Sequence, residues 1–129
     1  MRKLFVGLIV LFCANIALAD QYRLMFFYGP DCPWCHQMTK DVQRLATYYQ
    51  LELIGNSIEP RFIEGLANNI HDLGLFRKYK VYGLPMLLLQ NISTGEEQVV
   101  VRGAMFGEEL QKQFLLVAGE LNSNKVTSS

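Results

Sequence analysis

Cysteine is scarce in this 129-residue chain: Cys13, Cys32 and Cys35 are the only three. A fold stapled by several bridges is thereby excluded. Histidine is scarcer still, and His36 with His71 makes a poor partner set for a four-ligand zinc site, so no metal is expected. Neither sign of charge dominates, since 12 Lys and Arg balance 12 Asp and Glu. With no basic block, nothing points to nucleic acid or an acidic surface as partner. Long apolar runs are missing too. The stretch at residues 4–17 falls short of the about 20 apolar residues that span a bilayer comfortably. The chain shows no internal repeat and no second domain.

That short apolar stretch reads as an export signal. Arg2 and Lys3 precede it, and Ala17-Leu18-Ala19 supplies the small-x-small cleavage pattern. Cleavage removes residues 1–19 and leaves 110 residues, enough for one compact domain. Retention as an uncleaved anchor is the alternative. Cys13 leaves with the signal, and Phe12 before it is not the small residue of a lipidation site. The mature chain then holds ten basic and twelve acidic residues, with a periplasmic location and no stable membrane insertion expected. An oxidising compartment permits a disulfide. The loop between Cys32 and Cys35 is so small that bridging it constrains the unfolded chain little. Chemistry explains the pair better than stability does.

Tyr22-Arg23-Leu24-Met25-Phe26-Phe27-Tyr28 predicts a buried strand ended by Gly29-Pro30. Asp31 is a candidate N-cap and Pro33 suits the first turn of a helix. Cys35, Met38, Val42, Leu45, Ala46 and Tyr49 then recur at helical spacing. Leu51-Glu52-Leu53-Ile54 predicts a second strand, while residues 56–69 are polar and irregular around Pro60 and Gly65. A short helix is expected over residues 72–80. Met86-Leu87-Leu88-Leu89 suits a central strand covered on both faces. Residues 91–96 form a turn and residues 98–102 its hairpin partner. A last helix runs from about 107 to 120 with Leu110, Phe114, Val117, Ala118 and Leu121 on one side. The main domain is expected over residues 20–121, followed by a flexible tail at 122–129. Asn91-Ile92-Ser93 matches a glycosylation sequon, but after a bacterial-looking signal it reads as turn residues.

Cys32-Pro33-Trp34-Cys35 is the motif that carries chemistry, and it stands at the strand-to-helix turn. Two sulfurs at this spacing can exchange disulfides, form an inert bridge, or, with His36 after them, spell the C-x-x-C-H haem attachment motif. In a c-type cytochrome His36 would be one axial ligand, with Met38, Met86 or Met105 as the other. The preceding strand and the sheet expected in the C-terminal half weigh against that reading, because cytochromes of this size are mainly helical. His36 otherwise sits on the helix surface, where it either tunes Cys32 electrostatically or is simply solvated.

A second segment narrows the choice. Tyr79-Lys80-Val81-Tyr82-Gly83-Leu84-Pro85-Met86-Leu87-Leu88-Leu89, followed by Gly95-Glu96 and Gly103, resembles the cis-proline loop, strand and hairpin of the thioredoxin superfamily. Together with the C-x-x-C turn, the resemblance covers nearly all of the mature chain and is weakest over residues 51–75. It implies an α/β, thioredoxin-like fold, a mixed sheet of about four strands flanked by helices. It implies a cis Leu84-Pro85 peptide facing the Cys32 sulfur, with the Leu84 backbone exposed to pair with a substrate strand. The helix N-terminus favours a thiolate at Cys32, making it the attacking sulfur. Cys35, one turn inside the helix, is the buried resolving thiol. Pro33 stiffens the turn, and Trp34 offers an apolar face to an unfolded or extended chain.

The chain also departs from cytoplasmic thioredoxins. Their buried aspartate, six residues before the first cysteine, is Phe26 here, with Glu52 or Glu59 as candidate substitutes. Their W-C-G-P-C is replaced by D-C-P-W-C, as in the exported Dsb-like group. Only 49 residues separate Cys35 from Pro85, too few for the helical insertion of DsbA-type oxidases. No room precedes Tyr22 for the dimerisation domain of DsbC-type isomerases. The resemblance is to minimal single-domain periplasmic proteins, including those that assist conjugative pilus or secretion-system assembly. The expected activity is thiol-disulfide exchange, as oxidase, isomerase or reductase, without a bound cofactor. Expected partners are cysteine-containing envelope or secreted proteins and a redox partner protein, met as a monomer. The competing classes are the c-type cytochrome and a non-catalytic binding module or chaperone on the same fold.

Overall fold

The computed structural model describes residues 21–128, with side chains as far as Leu121. The expected signal at 1–19 lies outside the described residues. The elements run β1 (Tyr22–Tyr28), α1 (Pro33–Tyr48), β2 (Glu52–Ser57), β3 (Asn69–Ile70), α2 (Leu73–Lys78), β4 (Met86–Asn91), β5 (Glu97–Arg102) and α3 (Gly107–Ser128). No helix among the described residues is long and apolar enough to cross a membrane.

The strands form one mixed sheet in the order β3-β2-β1-β4-β5. β1 lies parallel to β2 and antiparallel to β4, pairing Phe26 with Gly55 on one side and with Leu87 on the other. Successive side chains of a strand point to opposite faces. Accordingly Leu24, Phe26 and Tyr28 join Leu87, Leu89 and the apolar stripes of α1 and α3 in the larger core. Met25 and Phe27 join Phe76, Met86 and Leu88 in a smaller core beneath α2. Burial of β1 and β4 on both faces explains why both segments are almost continuously apolar.

Three boundaries differ from the sequence reading. The sheet has five strands rather than about four, because β2 runs on to Ser57 and β3 pairs beside it through Gly55–Asn69 and Asn56–Ile70. Polar residues here are buried because their groups are matched. Asn56 accepts from the Asp72 amide at 3.0 Å and donates to the Asp72 carbonyl at 3.1 Å. Gly55 is required sterically, since a Cβ there would lie 2.6 Å from Asn69 Oδ1 and 2.8 Å from Leu66 Cδ1. The last helix continues to Ser128 rather than ending near Glu120, with no proline or glycine after Gly119 to stop it. Residues 122–128 of the expected tail therefore fall on its last turns, and 129 lies outside the described residues. Asn91, read as a turn residue, instead ends β4, and its side chain starts the turn by accepting from the amides of Ser93 and Thr94 at 2.9 and 3.1 Å.

Candidate active site

β1 delivers the chain from the middle of the sheet to the turn that carries the cysteines. Gly29 permits a close meeting of three segments there. A Cβ at position 29 would lie 3.3 Å from Leu84 Cδ1 and 3.7 Å from both Cys32 Cβ and Ile58 Cγ2. The Cys32 amide closes the turn on the Gly29 carbonyl at 3.2 Å. Cys32 is then the N-cap of α1, with extended backbone and its Sγ accepting from the Cys35 amide at 3.1 Å. Pro33 follows at the first helical position, where no donor is lost. Asp31, the N-cap candidate from sequence, does not cap. A charged donor holds it instead, with Arg61 Nη2 2.7 Å from its Oδ2. The hydrogen bond from Arg61, and then its charge, hold the Asp31 carboxyl below the usual carboxylate range.

Cys32 and Cys35 are joined by a disulfide, with their Cα atoms 5.2 Å apart. The two sulfurs are not equivalent. Cys35 is fully buried in the larger core, whereas Cys32 is partly exposed at its edge. Trp34 is 58% exposed and leans on Phe106, with ring centroids 6.3 Å apart. His36 is exposed, and its Nε2 donates to the Pro30 carbonyl at 2.6 Å. The backbone carbonyl of Cys35 accepts from the Thr39 hydroxyl at 2.7 Å.

The second sequence segment reaches the same place. The Leu84-Pro85 peptide is cis, and Pro85 is buried with its carbonyl accepting from Gly103 at 2.8 Å. Leu84 packs against both cores, and no described residue hydrogen-bonds its backbone. Arg102 anchors this loop by donating to the Lys80 carbonyl at 2.9 Å and to the Tyr79 carbonyl at 3.5 Å. Sequence reasoning missed Arg102 and Arg61, because a long side chain that spans loops leaves no periodic signal. Phe106 was missed for the same reason.

Neither candidate acid replaces the aspartate absent at Phe26. Glu52 pairs with Arg23 at 3.1 Å and Glu59 with Arg61 at 2.5 Å, both on the surface. The buried polar side chains among the described residues are Thr39, Asn56, Ser57 and Asn91, none of them acidic. The groups of the C-x-x-C-H motif are engaged with the protein itself in this structure: the two sulfurs bond each other, and His36 Nε2 donates to the Pro30 carbonyl. Of the proposed sixth ligands, Met38 and Met86 lie in different cores on opposite faces of the sheet. No group of three or more His, Cys, Asp or Glu among the described residues could hold a metal.

A mixed sheet flanked by helices, with a Cys-x-x-Cys disulfide opening its first helix, is a thioredoxin-like fold. Solved structures agree on the fold. The MTB dsbF protein superposes with a TM-score of 0.58 at 18% identity, covering 75% of this chain and 81% of its own. A thiol:disulfide interchange protein DsbE from Chlorobium tepidum gives 0.57 at 18% identity, covering 74% and 79%. Residues 16–115 match the TraF family, described as F plasmid transfer operon protein, and the chain belongs to that family. Protein TraF of Escherichia coli (strain K12) is 26% identical over 107 residues, which is 83% of this chain and 43% of that protein. The chain thus spans less than half the length of that relative.

Proposed function

We propose that this protein is an exported thiol-disulfide oxidoreductase acting on cysteines of envelope or secreted proteins. One observation carries the reading: Cys32 caps a helix and is partly exposed, while its disulfide partner Cys35 is fully buried. In the reducing direction the Cys32 thiolate attacks a substrate disulfide. One substrate sulfur leaves as thiolate, and a mixed disulfide to Cys32 remains. The Cys35 thiolate then attacks the Cys32 sulfur and expels the second substrate thiolate. Two electrons pass to the substrate, and the Cys32–Cys35 disulfide forms. An oxidase runs the same steps backwards.

The helix N-terminus supports Cys32 as the nucleophile, because amide dipoles and the Cys35 N–H favour negative sulfur. Pro33 holds the turn. Trp34, with Phe106 behind it, gives an unfolded chain an apolar surface. The unpartnered Leu84 backbone beside Pro85 suits pairing with an extended substrate segment by edge addition. The TraF family's association with a transfer operon supports cysteine-containing proteins of a conjugative apparatus as substrates, with a second redox protein resetting the pair. Residues 1–19 direct export to the periplasm, and the mature protein works as a monomer without cofactor.

Equilibration with glutathione tests the reading. We expect full, reversible conversion between dithiol and disulfide. A potential near −120 mV would mark an oxidant and one near about −270 mV a reductant. A pair still bridged below about −300 mV would be a structural staple and would overturn the proposal.

A further inference from the structure

The charges around the redox turn lie on one side of it. The loop at residues 81–85 and the segment at 103–106 carry no charged side chain, and Tyr82 is their only titratable group. The turn itself supplies Asp31, and α1 supplies His36 and, one turn further on, Lys40. The loop after β2 supplies Glu59, Arg61 and Glu64. Three of these form one cluster next to the reactive cysteine. A single guanidinium nitrogen of Arg61 reaches Asp31 Oδ2 at 2.7 Å and Glu59 Oε2 at 2.5 Å.

That loop is anchored, which makes the arrangement more than a chance surface pair. The Ile58 amide donates to the Tyr28 carbonyl at 2.9 Å, and the Glu59 amide to the Ser57 hydroxyl at 3.2 Å. Beyond Arg61, the Ile63 amide donates to the Tyr28 hydroxyl at 3.2 Å. Residues 58–63 are thus tied at both ends to Tyr28, four positions before Cys32. The loop brings Arg61 across to the one acidic residue covalently adjacent to the nucleophile.

We propose that Arg61 is a positioning residue for the Cys32 thiolate, pairing with the Asp31 carboxylate so that its charge weighs less against negative charge on the sulfur. This rests on Cys32 being the attacking sulfur. An unpaired carboxylate beside Cys32 would oppose its ionisation, and Phe26 leaves no buried acid on the inner side to do so. The surface ion pair adds little to folding stability. Its effect is on where negative charge sits when the disulfide opens.

The test measures iodoacetamide alkylation of reduced Cys32 against pH in a Cys35→Ser background, where one thiol reports. Arg61→Gln should move the midpoint up by about half a pH unit, the order expected of one unpaired charge on the neighbouring residue in a watery setting. Asp31→Asn should move it down, Arg61→Lys should recover most of the shift, and the Asp31→Asn, Arg61→Gln double variant should return towards the parent. The shifts should shrink in 1 M salt, where the Debye length is about 3 Å. A merely structural role would lower stability without moving the midpoint. Coincident midpoints for Arg61→Gln and its parent, or shifts of the same sign for Arg61→Gln and Asp31→Asn, would overturn the inference while wild-type disulfide exchange stands. Loss of exchange in the wild type would instead overturn the functional reading.

Discussion

Replacing Tyr28 with Phe removes one oxygen and tests how the sheet holds the loop beside the Cys32–Cys35 turn. The Tyr28 hydroxyl donates to Asn69 Oδ1 at 2.5 Å and accepts from the buried Ile63 amide at 3.2 Å. Phenylalanine keeps the ring stacked on Phe26, 5.7 Å between centroids, but orphans that amide. An unsatisfied buried donor costs about 1–3 kcal/mol, which is the loss expected at pH 7. The pH dependence gives the sharper signature. Burial pushes the Tyr28 phenol above its usual value, against the lowering effect of its bonds to Ile63 and Ser57. A raised folded-state pKa means that the folded state keeps its proton while the unfolded tyrosine ionises near about pH 10. The stability contribution of Tyr28 is therefore complete below that pH and is lost as pH climbs through the folded-state value. The gap between wild type and Tyr28→Phe should narrow above pH 10, by at most about 1.4 kcal/mol per pH unit. Tyr79, also raised, chiefly by burial and then by Glu97, keeps its own slope in both proteins. Urea unfolding of the disulfide-bonded form, followed by far-UV circular dichroism at pH 7 and at several points above 10, measures this. A loss under 0.5 kcal/mol at pH 7, or a gap that does not change with pH, would refute the reasoning.

Two further substitutions probe the substrate side. Arg102→Ala removes the donors to the Lys80 and Tyr79 carbonyls and should loosen the loop carrying Leu84 and Pro85. KM for a disulfide peptide should rise several-fold while Cys32 alkylation stays within about twofold of wild type; steady-state kinetics beside alkylation rates check this. Trp34→Ala exposes Phe106 and removes apolar contact area, so kcat/KM for an unfolded protein substrate should fall about tenfold, with exchange against glutathione little changed.

Apolar periodicity made most of the architecture legible. β1, β4 and the buried stripe of α1 stand where their side chains said, because burial on one or both faces leaves a pattern in residue type. The end of β2 and all of β3 were illegible for the converse reason. Gly55, Asn56 and Ser57 look like loop, yet they are buried because each polar group finds a specific partner, and pairing of that kind has no period. At the site, Cys32, Cys35 and the Leu84-Pro85 loop carry local signatures that could be read directly. Asp31 misled because Cys32 takes the cap position and the Asp31 carboxylate pairs instead with Arg61, thirty positions away in an irregular segment. Tertiary contacts of long charged side chains emerge only once the loops are placed.

Substrate trapping is the most direct measurement of the central claim, that Cys32 attacks and Cys35 resolves. Reduced Cys35→Ser protein mixed with a disulfide-containing substrate should accumulate a mixed disulfide mapped by mass spectrometry to Cys32. Reduced Cys32→Ser protein should accumulate none, because its remaining sulfur is fully buried. Equal trapping by both variants, or adducts mapped to Cys35, would contradict the account.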